Sequence, residues 1–287
     1  MKFTNLDKPL WPDGTTKGDY LEYLATVAPV MVPHLDGRAI TLKRYPDGSQ
    51  SKGFFEKRSP SHRPEWVTTA EVVLEGERAT QVVVDRADTL LWLGQLAAIE
   101  LHAPLARAGH EQHPDHVVFD LDPGEPAELL DCCEIALILR ELFTRLGLET
   151  FAKTSGGKGL QLYLPVERGA HDVAECRGFA EQVAQSIAAA HADKVVAHQR
   201  RSDRRGKVLI DWYQNLAGRT TIAAYSARAR ETASISAPVA WDEIEQAVAG
   251  RDADSLRQDI RSMPARIEEL GDLFAPVLAA GRRLPAL

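Results

Sequence analysis

His116-Val-Val-Phe-Asp-Leu-Asp-Pro-Gly124 is a short apolar run that closes on two carboxylates, Asp120 and Asp122. Residues two apart on a strand project to one side, and Pro123-Gly124 stops the strand where the second carboxylate emerges. Two oxygen donors held that close repel each other unless a cation lies between them, and hard divalent ions prefer oxygen ligands. The competing reading of an isolated Asp-x-Asp is a polar turn after a strand. What surrounds the run decides between them.

Upstream, Thr16-Lys-Gly-Asp19 has capping-box spacing and predicts an amphipathic helix as far as about Val32, ahead of Pro33. Residues 39–44, 53–56 and 80–84 read as strands, followed by a helix over about 88–102 that puts His102 at its end. Downstream, the pattern gives a helix over 126–146, a strand over 149–153, a glycine-rich turn and a strand over 160–165, which together end in a hairpin. A helix over 171–192, strands over 207–212 and 220–225, and helices over 241–249 and 264–270 complete the chain. Hairpins mixed with crossover helices favour an α+β fold with mixed sheets over a doubly wound parallel one.

The chain has 287 residues, 44% hydrophobic and 26% charged, which is enough to bury a full core. It is read as a single domain over 1–287, built as two intimate lobes, with 275–287 set aside as a flexible tail. No stretch has the ~20 uninterrupted apolar residues needed to cross a bilayer, and the first residues lead into no signal-peptide core, so a cytoplasmic protein is expected. Cys132 and Cys133 are adjacent and Cys176 stands alone, which gives neither a disulfide framework nor zinc spacing. The net charge of -7 hides a segregation: residues 194–230 carry nine Lys/Arg against Asp203 and Asp211, whereas residues 71–150 carry 16 acids against five bases. A basic stretch inside an acidic protein is either a solvated loop or a surface for a polyanion.

Lys153-Thr-Ser-Gly-Gly-Lys-Gly159 is a second signal. Its glycines expose backbone amides, while Ser155 and Lys158 add a hydroxyl and a cation, a composition suited to phosphate. It lacks the spacing of a Walker A loop, and a ligand-free hairpin turn is the alternative. In Gly206-Lys-Val-Leu-Ile-Asp-Trp-Tyr-Gln-Asn215 a third carboxylate, Asp211, again follows an apolar strand. It could complete a two-metal site, or cap a turn, or pair with Arg204 or Arg205. Phe54-Phe55 reads equally as core, and His102 as a structural histidine. His110, His113 and His116 lack partners at metal-ligand spacing.

Taken in order, Phe54-Phe55, His102, Phe-Asp-Leu-Asp-Pro-Gly124, Thr-Ser-Gly-Gly-Lys-Gly159, Ile-Asp-Trp-Tyr-Gln-Asn215 and Tyr225-Ser-Ala-Arg-Ala-Arg230 resemble the polymerase module of bacterial ligase D. That module belongs to the archaeo-eukaryotic primase superfamily and serves non-homologous end joining. The resemblance runs from about Leu6 to Leu273. It implies an archaeo-eukaryotic primase-like α+β fold, with mixed and antiparallel sheets forming a catalytic cleft flanked by helices. It also implies template-directed addition of nucleotides, from NTP or dNTP, at gaps or broken DNA ends. Asp120, Asp122 and Asp211 would hold two Mn or Mg ions, with Asp211 helping to prepare the primer 3′-hydroxyl. Lys43, His102, Ser155, Lys158, Arg204 and Arg228 would contact the incoming triphosphate. Phe54 and Phe55 would stack near the templating base, and Lys8 and Lys17 would grip a 5′-phosphate. Implied partners are DNA, a separate ligase and the end-binding protein Ku, in a bacterial, nucleoid-associated setting with no membrane.

One position departs from the resemblance. The phosphate loop of that family usually continues Gly-Leu-His, and here Leu160 is followed by Gln161, which is expected to give a weaker triphosphate contact because glutamine carries no proton or charge near neutral pH. Two rivals follow from the residues. A phosphatase of the haloacid-dehalogenase type also ends a strand in Asp-x-Asp, but its motif continues to Thr or Val where this chain has Gly124. A DNA end-bridging module with weakened catalysis is the other. No Lys-x-Asp-Gly nucleotidylation motif occurs in these residues.

Overall fold

The computed structural model describes every residue except Glu75, Ala280 and Leu287, two of which fall in the stretch expected to be a tail. In chain order the first elements are α1 (Lys17–Leu35), β1 (Ala39–Arg44), β2 (Phe54–Glu56), β3 (Thr69–Leu74), β4 (Glu77–Val83), α2 (Ala87–Gln95), β5 (Ala98–Pro104) and β6 (His116–Pro123). Then come α3 (Leu129–Arg145), β7 (Phe151–Thr154), β8 (Leu160–Pro165), α4 (Val173–Ala190), β9 (Val195–Val196), β10 (Val208–Asp211), β11 (Thr220–Ile222), β12 (Pro238–Val239), α5 (Trp241–Gly250) and α6 (Met263–Leu270). The chain divides into two compact units, one comprising Met1–Gly109, Thr220–Ala237 and Gln258–Asp272, the other His110–Arg219, Pro238–Arg257 and Leu273–Leu287. The α+β expectation holds, with a six-stranded sheet in each unit.

In the first unit the strands run β11-β5-β1-β4-β3, with β2 added to β1. Thr16 caps α1: its hydroxyl accepts from the Asp19 amide while the Asp19 carboxylate accepts from the Thr16 amide, the reciprocal pair that the spacing predicts. The helix does not stop before Pro33, as expected, but continues to Leu35 with Pro29 and Pro33 inside it. Its buried stripe of Leu24, Val27, Met31 and Leu35 keeps helical spacing through both prolines, so packing outweighs the missing amide bonds. Two further corrections concern the strands. The helix expected to reach His102 ends at Gln95, because Ala97 turns left-handed at φ 55, and His102 sits in the middle of β5. Strand β3 was not legible, since Val72 is buried and its neighbour Val73 is 69% exposed on the sheet edge.

In the second unit the order is β12-β7-β8-β6-β10-β9, antiparallel except for β9 with β10. Alternation on β6 separates two chemistries. Val117, Phe119 and Leu121 enter a core with Cys132, Ala136, Leu139 and Phe143 of α3 and with Phe179, Ala180 and Val183 of α4. The opposite face carries Val118, Asp120 and Asp122. The three cysteines are buried and unpaired by disulfide, and burial holds the Cys133 and Cys176 thiols up at about 12. In the stretch beyond 274, a single helical turn over Ala275–Leu278 buries Val277, whose carbonyl lies 3.1 Å from His116 Nε2. Among the described residues no helix is long and apolar enough to cross a membrane.

Candidate active site

The pairing of β6 with its neighbours sets the site. Asp211 on β10 is the direct partner of Asp120 on β6, Asp120 is the direct partner of Gln161 on β8, and Gln161 is the partner of Lys153 on β7. Residues directly opposite in antiparallel strands share a face, so these four side chains form one row across the sheet, away from the helices. Lys153 is 0% exposed, Gln161 4%, Asp211 8% and Asp120 9%. Burial pushes the Asp120 carboxyl up to about 7; the charges of Asp122 and Asp211 push the same way, against a Gln161 hydrogen bond and the charge of Lys153.

Asp211 also caps a turn, one of the roles its sequence left open. Its carboxylate accepts from the Tyr213 amide at 3.1 Å and the Gln214 side chain at 3.4 Å, at the start of the helical turn Trp212–Asn215. At the end of that turn Asn215 takes the place of a strand residue: Oδ1 accepts from the Val118 amide at 2.9 Å and Nδ2 donates to the Val118 carbonyl at 2.7 Å. The sequence motif gave Asn215 no role, and only its position four residues after Asp211 could have suggested one.

Among the described residues no three His, Cys, Asp or Glu side chains converge closely enough to enclose a metal ion as they stand. The donor chemistry nevertheless fits a hard divalent cation. Asp120, Asp122 and Asp211 offer oxygen alone, and one of them is driven toward protonation by burial and by the other two, a repulsion that a bound cation relieves. Asp211 directs its oxygens to the Tyr213 amide and the Gln214 side chain.

The glycine-rich turn joins β7 to β8 beside this row. Ser155 Oγ accepts from the Gly157 amide at 3.3 Å and the Gly159 amide at 3.2 Å, and the Ser155 amide donates to the Gly159 carbonyl at 2.9 Å, so the hydroxyl organises its own loop. A Cβ on Gly159 would lie 2.3 Å from the Leu121 carbonyl oxygen, between the two aspartates on β6. Gly124 is equally constrained, with a Cβ there only 1.9 Å from the carbonyl oxygen of Arg204. Lys158 is exposed and paired with Glu125. Arg204 belongs to the turn that carries the basic stretch and is tied to the end of β6 through the Gly124 amide and the Lys207 carbonyl at 2.8 Å.

On the first unit, Lys43, His102 and Arg228 are brought together by a residue the sequence reading missed. Glu100 is 3% exposed, and its carboxylate lies 3.2 Å from His102 Nε2, 3.3 Å from Arg228 Nε and 3.9 Å from Lys43 Nζ. The Ala229 amide donates to it at 3.2 Å. Burial alone would raise its pKa, but the His102 hydrogen bond and the charges of Arg228 and Lys43 bring it down to about 2. Its signal was an acid two residues before His102 on an alternating strand. Phe54 and Phe55 are 45% and 58% exposed, so neither is core; Lys43 lies 5.4 Å over the Phe55 ring and Arg44 5.4 Å over Phe54. Lys8 and Lys17 are neighbours, the Lys17 amide donating to the Lys8 carbonyl at 2.9 Å. Burial, and secondarily the Lys8 charge, lower the Lys17 pKa.

Comparison with known proteins extends this geometry. Residues 16–274 match the model of the family described as LigD, primase-polymerase domain. The chain is 40% identical over 283 residues to the multifunctional non-homologous end joining protein LigD of Mycolicibacterium smegmatis, covering 96% of this chain and 36% of that protein. It is 32% identical over 249 residues to the bifunctional non-homologous end joining protein LigD of Bacillus subtilis, covering 86% of this chain and 40% of that one. The chain therefore spans well under half the length of these relatives. Among solved structures it is similar to the polymerase domain from Mycobacterium tuberculosis ligase D in complex with DNA, with a TM-score of 0.90 at 36% identity, covering 98% of this chain and 99% of that one.

Proposed function

The chain belongs to the LigD primase-polymerase domain family, and from that premise we propose that it is a template-directed nucleotidyltransferase acting at gaps or broken ends of DNA in repair. The observation that carries this reading is the register of Asp211 against Asp120, with Asp122 two residues further along the same face. Asp120, Asp122 and Asp211 are the residues to hold two divalent ions, Mn or Mg. Bound there, such ions supply charge neutralisation at the attacking and leaving oxygens. The primer 3′-oxygen forms a bond to the α-phosphorus of an NTP or dNTP, the bond to the bridging oxygen of the β-phosphate breaks, and pyrophosphate leaves. Asp211 helps orient the hydroxyl and accept its proton.

Family membership supports assigning Ser155, Lys158, Arg204, Lys43, His102 and Arg228 to phosphate oxygens of the nucleotide. Their grouping around Glu100 supports this for the last three, because side chains fixed before the anion arrives lose little freedom on binding it. Exposed Phe54 and Phe55 offer faces to a base of any sequence, and the Lys8 and Lys17 pair suits a 5′-phosphate. Sealing of the product would fall outside these residues, to a ligase, with Ku at the DNA end.

Primer extension on a gapped, 5′-phosphorylated duplex with manganese and NTPs tests the reading, and extension is expected. DNA binding without extension would point instead to an end-bridging module, and phosphate release from simple monoesters to a phosphatase.

A further inference from the structure

Gln161 is buried within the sheet, and both ends of its amide are engaged there. Its Oε1 accepts from Lys153 Nζ at 2.6 Å, and its remaining polar group, the NH2, hydrogen-bonds to Asp120. The order is dictated by chemistry. A lysine ammonium only donates and a carboxylate only accepts, so the one residue between them must present oxygen to one side and N–H to the other. The register enforces the same order, since Lys153, Gln161 and Asp120 are successive direct partners on β7, β8 and β6. Lys153 is fully buried and lies 5.5 Å from the centre of the Tyr163 ring, so it is a fixed donor.

We propose that Lys153 and Gln161 are positioning residues for Asp120, holding its carboxylate in the orientation in which it takes a divalent cation. The inference rests on the metal-binding role given to Asp120 above. Asp120 is crowded by Asp122 and Asp211, and a carboxylate crowded in that way rotates away from its neighbours unless something holds it. Gln161 supplies that hold without adding charge. On this reading Gln161 serves Asp120 rather than a triphosphate, since it is 4% exposed and its oxygen accepts from Lys153. Neutral histidine, with one donor and one acceptor nitrogen, could fill the same bridge.

The test is direct manganese binding to the full chain without nucleotide, read from the free Mn(II) resonance signal, for wild type, Gln161→Met, Lys153→Met, Gln161→His and Asp120→Asn. Thermal unfolding of each variant shows that it is folded. Gln161→Met and Lys153→Met should each weaken manganese about ten- to a hundred-fold, the usual cost of removing a partner that orients a metal ligand. The nucleotide KM at saturating manganese should stay as in wild type, and Gln161→His should retain most of the affinity. Either methionine variant, folded and binding manganese as wild type does, overturns the proposal. So does a raised nucleotide KM with unchanged manganese affinity, which would make Gln161 a phosphate contact. Weakening in Asp120→Asn but not in Gln161→Met defeats the positioning role alone, whereas no weakening in either defeats the metal role of Asp120 as well.

Discussion

Asp211 faces Asp120 directly across the antiparallel pairing of β10 with β6. This one register step joins two motifs separated by 90 residues of sequence and places like charges on adjacent strands. Like charges directly opposite each other destabilise a sheet. The cost is visible in Asp120, raised to about 7, and it should be measurable.

A carboxyl whose pKa is higher folded than unfolded favours folding while it is protonated, and that contribution is lost as pH rises from about 4, the unfolded value, through about 7. Metal-free protein should therefore lose thermal stability between pH 5 and pH 8, and manganese should restore it at the upper end. Unfolding midpoints with chelator and with Mn²⁺ across that range check this. A flat profile in chelator contradicts it.

Glu100→Ala should cost about 3 kcal/mol, because Lys43, His102 and Arg228 would be left gathered around a missing counter-charge. In wild type this contribution is present above the unfolded pKa of Glu and is lost as pH falls through about 2. Denaturant unfolding at neutral pH gives the first number. The nucleotide KM of the variant should rise as well.

Gly159→Ala should disturb the chemistry as well as the fold. The new methyl would press on the Leu121 carbonyl between the two aspartates, and either β6 or the loop must move. A loss of about 1–3 kcal/mol together with a fall in turnover is expected. Wild-type turnover would show that β6 is not held by this contact.

Asn215→Ala should cost about 2–3 kcal/mol, since it strips the amide and the carbonyl of Val118 of their partners in a buried setting. Faster hydrogen exchange at the Val118 amide would locate the effect, and protection as in wild type would refute it.

What the sequence made legible follows the range of the forces involved. The capping box at Thr16, the Asp-bearing strand and the β7–β8 hairpin depend on neighbours a few residues apart, and all were read correctly. The helix over 88–102 was overextended because its ending depends on β5 finding β1, a pairing far away in sequence, and His102 moved from a helix end to a strand with it. Glu100 was passed over for the same reason, since its importance comes from Lys43 and Arg228, which only folding brings to it. The setting of Gln161 was equally hidden, because glycine-rich loops suggest exposed ligand contacts, whereas the residue lies one position inside the following strand, facing Lys153 and Asp120. Phe54 and Phe55 show the limit from the other side: as sequence they pass for core, and only the folded chain shows both of them exposed.

On the proposed reading the carboxylates on β6 do chemistry while other residues hold DNA. Primer extension and DNA binding measured side by side on Asp120→Ala and Asp122→Ala, with gapped, 5′-phosphorylated duplex, manganese and NTPs, test it most directly. Nucleotide addition should be abolished and DNA affinity largely kept. Equal loss of both would contradict it, and would mean that the two carboxylates hold the fold rather than the metal.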